Sequence, residues 1–205
     1  MQYDQLATKE AIERTVAALE AKGIETLVVE HGAEALEKIK EMIPKGVSVM
    51  NGSSTTLKEI GFVDYLKSGN HGWNNLHAQV LAEADPAKQA LLRKQALLSD
   101  YYLGSVHALA EIGEWVIASN TGSQLPHVVF SSPNLIFVVG TQKIVSTLAE
   151  AMNRLEEYVY PLEDKRMKEA GATGSNISKI LIFKKENPAM GRKVRMILIK
   201  EKLGF

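Results

Sequence analysis

Asn51-Gly52-Ser53-Ser54-Thr55-Thr56 sets an amide, a glycine and four consecutive hydroxyls directly after the short run Val47-Ser48-Val49-Met50. The pattern predicts a strand that stops at a sharp turn and opens a helix. The first backbone amides of a helix lack internal partners and lie at the positive end of its dipole. Hydroxyls gathered there therefore suit a phosphate or a carboxylate. An ordinary Ser/Thr N-cap explains the same residues without any ligand, although four hydroxyls exceed what a cap requires. The corner alone does not name its ligand.

Three further polar stretches flank predicted strands: Gly104-Ser105-Val106-His107, Glu111-Ile112-Gly113-Glu114 and Asn120-Thr121-Gly122-Ser123-Gln124. Glu111 is the candidate general base, because a carboxylate held against apolar neighbours such as Ile112 and Trp115 has a raised pKa. Glu114 precedes a strand and fits a solvated turn. His107 is the second candidate for proton transfer. Asn120, Thr121, Gly122, Ser123 and Gln124 either supply another set of amides and hydroxyls or form a tight turn of small polar residues. Lys143 is placed in the first turn of a helix beginning at Gly140-Thr141, where it would neutralise a bound anion; a solvated lysine is the ordinary alternative. His71 and His77 lack a third ligand at a diagnostic spacing, so no metal is expected. P-loop, G-x-G-x-x-G, G-x-S-x-G and H-E-x-x-H patterns are missing from the sequence.

Composition narrows the classes. The 205 residues carry 24 Lys+Arg against 24 Asp+Glu, with 45% apolar residues and no cysteine. Zero net charge without a basic cluster argues against nucleic acid or an anionic membrane as partner. Without cysteine there is no disulfide, no thiolate nucleophile and no cysteine-ligated zinc or iron–sulfur cluster. No apolar run approaches a membrane span and no apolar signal core stands near the N-terminus, so a cytoplasmic location is expected.

The elements that must position these residues follow from periodicity. Ile12, Val16 and Leu19 form one face of an N-terminal helix over about 4–22, and Thr26–Val29 has the pattern of a buried strand. Leu36, Ile39 and Ile43 mark a second helix, and the strand of residues 47–50 follows. This alternation predicts α/β architecture with a mainly parallel sheet flanked by helices, its site built from loops at the carboxyl ends of the strands. Residues 62–99 interrupt the rhythm as a helical insertion, with Asp85-Pro86 opening its second helix. Tyr101–Leu103, Trp115–Ala118, Val128–Phe130 and Leu135–Val139 are predicted strands. Ile144, Leu148, Met152 and Leu155 continue the helix after Gly140-Thr141. Lys179–Phe183 and Val194–Ile199, flanking Asn187-Pro188 and Gly191, are predicted to form an antiparallel C-terminal hairpin. A single α/β domain over 1–205 is expected.

Asn51–Leu57, Ala110–Glu114 and Ile136–Gly140 running into Lys143-Ile144-Val145 resemble successive landmarks of the LUD (lactate-utilisation) domain family. Tyr158–Glu163 and Glu201–Phe205 resemble its short, stand-alone members. The resemblance implies a fold similar to ribose-5-phosphate isomerases and CoA transferases, in which a comparable Gly-Ser-Thr corner binds phosphate. It further implies an association with oxidation of L-lactate to pyruvate alongside iron–sulfur partner proteins. Where relatives often carry a Gly-Ala-Asp-like triplet, this chain has Ser105-Val106-His107.

Three functions are consistent with these residues. The first is a component binding a small anion in 2-hydroxy-acid oxidation, with redox cofactors on partner proteins and none of its own. The second is a free-standing sugar-phosphate isomerase or acyl/CoA-transfer enzyme using Glu111. The third is a structural subunit of a redox complex, or a homo-oligomer, whose polar corner is only a cap.

Overall fold

A computed structural model describes residues 3–205. Thr8 caps the first helix, its hydroxyl accepting from the Ala11 amide at 3.2 Å, so α1 runs Lys9–Glu20, later than the predicted start. Ile12, Thr15 and Leu19 turn inward. Gly23, with φ +79°, ends the turn that follows, and β1 spans Ile24–Val29. Then come α2 (Gly32–Met42), β2 (Ser48–Asn51), α3 (Thr55–Glu59) and α4 (Phe62–Ser68). The region predicted as a helical insertion contains α4, the two-residue strand β3 (Asn74–Asn75), α5 (Leu76–Ala82) and α6 (Pro86–Gln95). Asp85 caps α6 by accepting from the amides of Ala87 and Lys88. The remaining strands are β4 (Tyr101–Gly104), β5 (Ala108–Ala110), β6 (Trp115–Ser119), β7 (Asn134–Gly140), β8 (Ile144–Val145), β9 (Lys179–Phe183) and β10 (Lys193–Ile199). Helices α7 (Leu148–Arg154) and α8 (Tyr160–Glu169) lie between β8 and β9.

The strands form two sheets. The larger has six strands in the order β1-β10-β7-β4-β2-β3, and every pairing is parallel. The expected parallel relation of β1 and β2 within one sheet holds. The smaller, four-stranded sheet has the order β8-β5-β6-β9, with β6 antiparallel to both neighbours.

Both faces of the large sheet are covered, and the central strands show it in their sequence. Leu135, Phe137 and Val139 of β7 join Val194, Met196 and Leu198 of β10 in a core shared with α1, Trp115 and Phe183. The alternate residues Ile136, Val138, Ile197 and Ile199 enter a second core against α2, α3 and α4. Strands buried on both faces are continuous apolar runs because neither side of the pleat meets water. A third core of Ala108, Val116, Ala151, Leu155 and Val159 packs α7 and the π-helical turn after it against the outer face of the small sheet.

Three expectations are corrected. The C-terminal segments do not form a hairpin: β9 pairs with β6, whereas β10 inserts between β1 and β7. The fully buried run of β10 needs two apolar faces, which only the large sheet offers. Val128–Phe130 is no strand but part of a π-helical turn, His127–Ser131, that leaves Val129 and Phe130 exposed. Arg192 holds this turn by donating to the carbonyls of His127, Val128, Val129 and Ser132. Finally, Gly140-Thr141 does not begin the helix. Thr141–Lys143 form a single 3₁₀ turn, β8 follows, and Thr147 caps α7 by accepting from the Glu150 amide.

Candidate functional site

The carboxyl ends of β2, β4, β7 and β10 lie on one side of the large sheet, and the segments leaving them build the site. After β2 the chain turns at Gly52, whose amide donates to the Leu103 carbonyl of β4 at 3.2 Å. A methyl added to Gly52 would stand 2.6 Å from the Tyr102 hydroxyl and 3.4 Å from Gln124 Oε1, so only glycine lets these groups close on the corner. Ser54 is the N-cap of α3, accepting from the Leu57 amide at 3.2 Å. That helix has only five residues, so its dipole is a weak source of anion affinity. Ser53 is exposed, Ser54 and Thr55 are half-buried and Thr56 is buried. Ser54→Ala is expected to lower stability by about 1 kcal/mol in urea denaturation and to leave anion affinity unchanged.

Below the corner lies Lys143. Its Nζ donates to Thr56 Oγ1 at 2.9 Å and to Ser105 Oγ at 3.1 Å, and the residue is 2% exposed. Among the described residues it forms no ion pair. Burial pushes its pKa down to about 7, with Arg154 adding repulsion and Glu59 opposing it. Lys143 was predicted on the first turn of a helix; it stands instead in the buried turn joining β7 to β8. A strap formed by the residues after β10 closes over it. Thr56 Oγ1 donates to the Leu203 carbonyl at 3.3 Å, and Gln142 Nε2 donates to the same oxygen at 2.8 Å. Gly204, with φ +62°, passes so close that a methyl there would lie 2.5 Å from Thr56 Oγ1 and 3.2 Å from Lys143 Nζ. Its amide donates to Glu59 Oε2 at 2.6 Å.

His107 is half-buried beside this group. Its Nδ1 accepts from the Ala118 amide at 3.1 Å, which assigns the proton of the neutral ring to Nε2. Burial, with Lys143 and Arg154 nearby, pushes its pKa down to about 3, so it stays uncharged. Arg154 is fully buried, donates to the carbonyls of His107 and Tyr3, and has its pKa lowered to about 10 by burial. Two cations and a neutral imidazole therefore share one desolvated neighbourhood. Such clusters of perturbed groups gather at functional sites more often than elsewhere.

The other candidates are distributed as follows. Gln124 reaches the corner at Gly52, its Nε2 donating to the Ala118 carbonyl. Asn120 instead bonds Ser178 and Lys179, while Thr121 and Ser123 pair with each other and are exposed. Their loop follows an antiparallel strand of the small sheet, so it does not continue the parallel-strand pattern expected of it. Glu111 directs its carboxylate to Arg14 Nε at 2.7 Å, away from any hydrogen bond with Thr56, Ser105, His107 or Lys143. Asn51 orients its side-chain amide by donating to the Gly52 carbonyl, which leaves Oδ1 buried without a partner. His77 lies beside it, Nδ1 bonding the Asn51 carbonyl at 3.2 Å. His71 is a satisfied core histidine, accepting from the Trp73 amide, donating to the Leu66 carbonyl and stacking on Trp73. Among the described residues no three His, Asp or Glu side chains gather as a metal-binding group.

Sequence reasoning missed Gln142, Arg154 and the stacked pair Tyr102–His127, whose ring centroids are 4.5 Å apart. Burial lowers the His127 pKa to about 4, and its Nδ1 lies 2.9 Å from Ser132 Oγ. Only the unusual position of Arg154 on the inner face of α7, in step with Ala151 and Leu155, hinted at a buried guanidinium.

A family model described as the LUD domain matches residues 12–198. The chain belongs to the LUD domain family. Thr56, Ser105 and Lys143 of this LUD domain lie within the matched residues, whereas the Leu203–Gly204 strap lies beyond them. No curated protein matches the chain. Among solved structures it is similar to a DUF162 family protein from Deinococcus radiodurans, with a TM-score of 0.55, 13% identity and coverage of 95% of this chain and 98% of that one. At that identity the likeness concerns the fold alone. Among the described residues no helix is long and apolar enough to cross a membrane.

Proposed function

We propose that this LUD domain binds a small carboxylate of the 2-hydroxy- or 2-oxo-acid class, in a system that oxidises L-lactate while iron–sulfur partner proteins carry the redox centres. One observation carries the reading: Lys143 Nζ is buried between two hydroxyls and forms no ion pair among the described residues. Holding an ammonium in a desolvated site costs several kcal/mol unless a counter-charge is supplied. A carboxylate bound at the Lys143 amine supplies that charge. Lys143 provides the cation and Ser105 a hydroxyl free to donate, Thr56 positions the amine, and Asn51 Oδ1, without a partner among the described residues, is an acceptor for a hydroxyl on the ligand. The family's association with L-lactate oxidation selects the acid class over sugar phosphates and CoA.

The test is calorimetry with L-lactate, pyruvate, phosphate, ribose 5-phosphate and CoA. Lactate or pyruvate is expected to bind and Lys143→Met to abolish the signal. Anion binding favours the charged amine, so with a free-site pKa of about 7 affinity should be flat below pH 7 and fall up to about tenfold per pH unit above it. Failure of both acids to bind, or unchanged binding by Lys143→Met, overturns the proposal.

A further inference from the structure

We infer that Lys143 is a nucleophilic amine that captures the carbonyl of a small 2-oxo acid as an imine. This rests on the site reading above and adds a covalent step to it. Three features of the geometry point there. Nζ is enclosed by Thr56, Ser105 and the Gly204 strap, so water does not solvate its charged form. Among the described residues no carboxylate forms an ion pair with it, so only two neutral hydroxyls and the more distant Glu59 favour its charged form. Desolvation next to a second cation, here Arg154, is the usual means of activating a lysine, and it brings this one to a pKa of about 7. The chain has no cysteine, so no thiol competes for the carbonyl.

The two hydroxyls have different parts. Thr56 is committed on both sides, accepting from Lys143 and donating to the Leu203 carbonyl. Ser105 is half-buried and its oxygen makes no hydrogen bond other than that from Lys143, so it is the hydroxyl free to relay a proton. In the first step the nitrogen lone pair adds to C2 of the acid, and the carbonyl π electrons pass to oxygen. Nitrogen gives up a proton and the oxygen takes one, through Ser105. In the second step the carbinolamine nitrogen gives up its remaining proton, the oxygen takes it, again through Ser105, and leaves as water while the C=N bond forms. Carbonyl and amine are consumed, imine and water are produced, and no oxidant enters. L-Lactate carries a hydroxyl at C2 instead of a ketone and cannot form the imine, so the site would separate an acid from its oxidised form by covalent chemistry.

The experiment treats the full chain with pyruvate and sodium cyanoborohydride, which reduces an imine to a stable amine, and maps adducts by peptide mass spectrometry. Calorimetry of pyruvate is run on the same preparation. A single dominant adduct on the peptide containing Lys143 is expected, with none from L-lactate. Ser105→Ala should slow its formation by tenfold or more at pyruvate concentrations that saturate the variant. Lys143→Arg keeps the charge and should bind pyruvate without forming the adduct. Pyruvate binding with no adduct at Lys143, or adducts spread evenly over exposed lysines, overturns the imine and leaves the binding proposal standing. Absence of pyruvate binding by the parent chain overturns the imine, and absence of L-lactate binding as well overturns the binding proposal with it.

Discussion

Replacing Trp115 with alanine is expected to cost about 3–5 kcal/mol of stability, the usual range for removing a fully buried tryptophan. The ring is 0% exposed and stacks on Phe183 with centroids 4.2 Å apart and planes 8° from parallel. It also packs on Phe137 at 5.7 Å. Phe183 belongs to the small sheet and Phe137 to the large one, so this indole, with Leu109, Ile117 and Ile144, stands in the core where the two sheets meet. Its Nε1 is buried without a partner and contributes no hydrogen bond to offset its desolvation. Trp115→Phe should therefore lose far less, within about 1.5 kcal/mol, because it keeps an aromatic plane against Phe183 and removes the orphaned N–H. Urea denaturation followed by circular dichroism separates the two variants. Equal losses from Ala and Phe would show that the stacking is not what joins the sheets.

Lys143→Met is expected to stabilise the chain by about 3 kcal/mol at pH 6 to 7. The sign follows from the folded-state pKa, which burial lowers from the ordinary lysine value to about 7. Below pH 7 the amine is charged in both states and the folded state bears the full cost of enclosing it. Between pH 7 and the ordinary lysine value only the unfolded chain binds the proton, so the parent gains stability as pH rises. Methionine fills similar space without charge, and its advantage should shrink steadily toward pH 10. A variant that is more stable, yet has lost its ligand, marks a residue retained for function against stability. If Lys143→Met melts earlier than the parent at pH 6, the amine has a stabilising partner and is no strained site.

The sequence carried the order of the first elements, β1, α2 and β2, but not the burial of β1: read as a buried strand, Thr26–Val29 lies at the sheet edge and exposes Leu27 and Val28. It misled where one local signal stood in for a long-range fact. Asn187-Pro188 and Gly191 are good turn residues, but a turn does not say whether the next strand goes to the same sheet. The distinguishing signal lay in the strands: β9 exposes Lys179, Ile180 and Ile182, whereas Val194 and Met196–Ile199 are buried without a break. The segment after Gly140 was misread for a similar reason. A Thr147-x-x-Glu150 spacing marked the true helix start, and Ile144-Val145 before it favoured an extended pair. At the site, the types Thr56, Ser105 and Lys143 were legible. Their meeting was not, because it joins residues 38 and 87 apart through the ends of three parallel strands. Conversely, Glu111 looked like a base from its apolar neighbours until Arg14, 97 residues earlier, claimed it.

The position of β10 has a consequence for how the chain reaches this state. Among the described residues β1 pairs with β10 alone, and its partner residues, such as Glu25 and Arg195, are 170 positions apart. Such high contact order makes for slow folding, since the entropy of closing the loop is lost before any pairing rewards it. During synthesis β1, with Leu27 and Val28 apolar, must wait on the ribosome until nearly all of these residues have emerged. Until then the edges of β1 and β7 are open templates for pairing with another nascent chain. Expression yield should thus depend on chaperone supply and temperature more than on the stability of the finished protein.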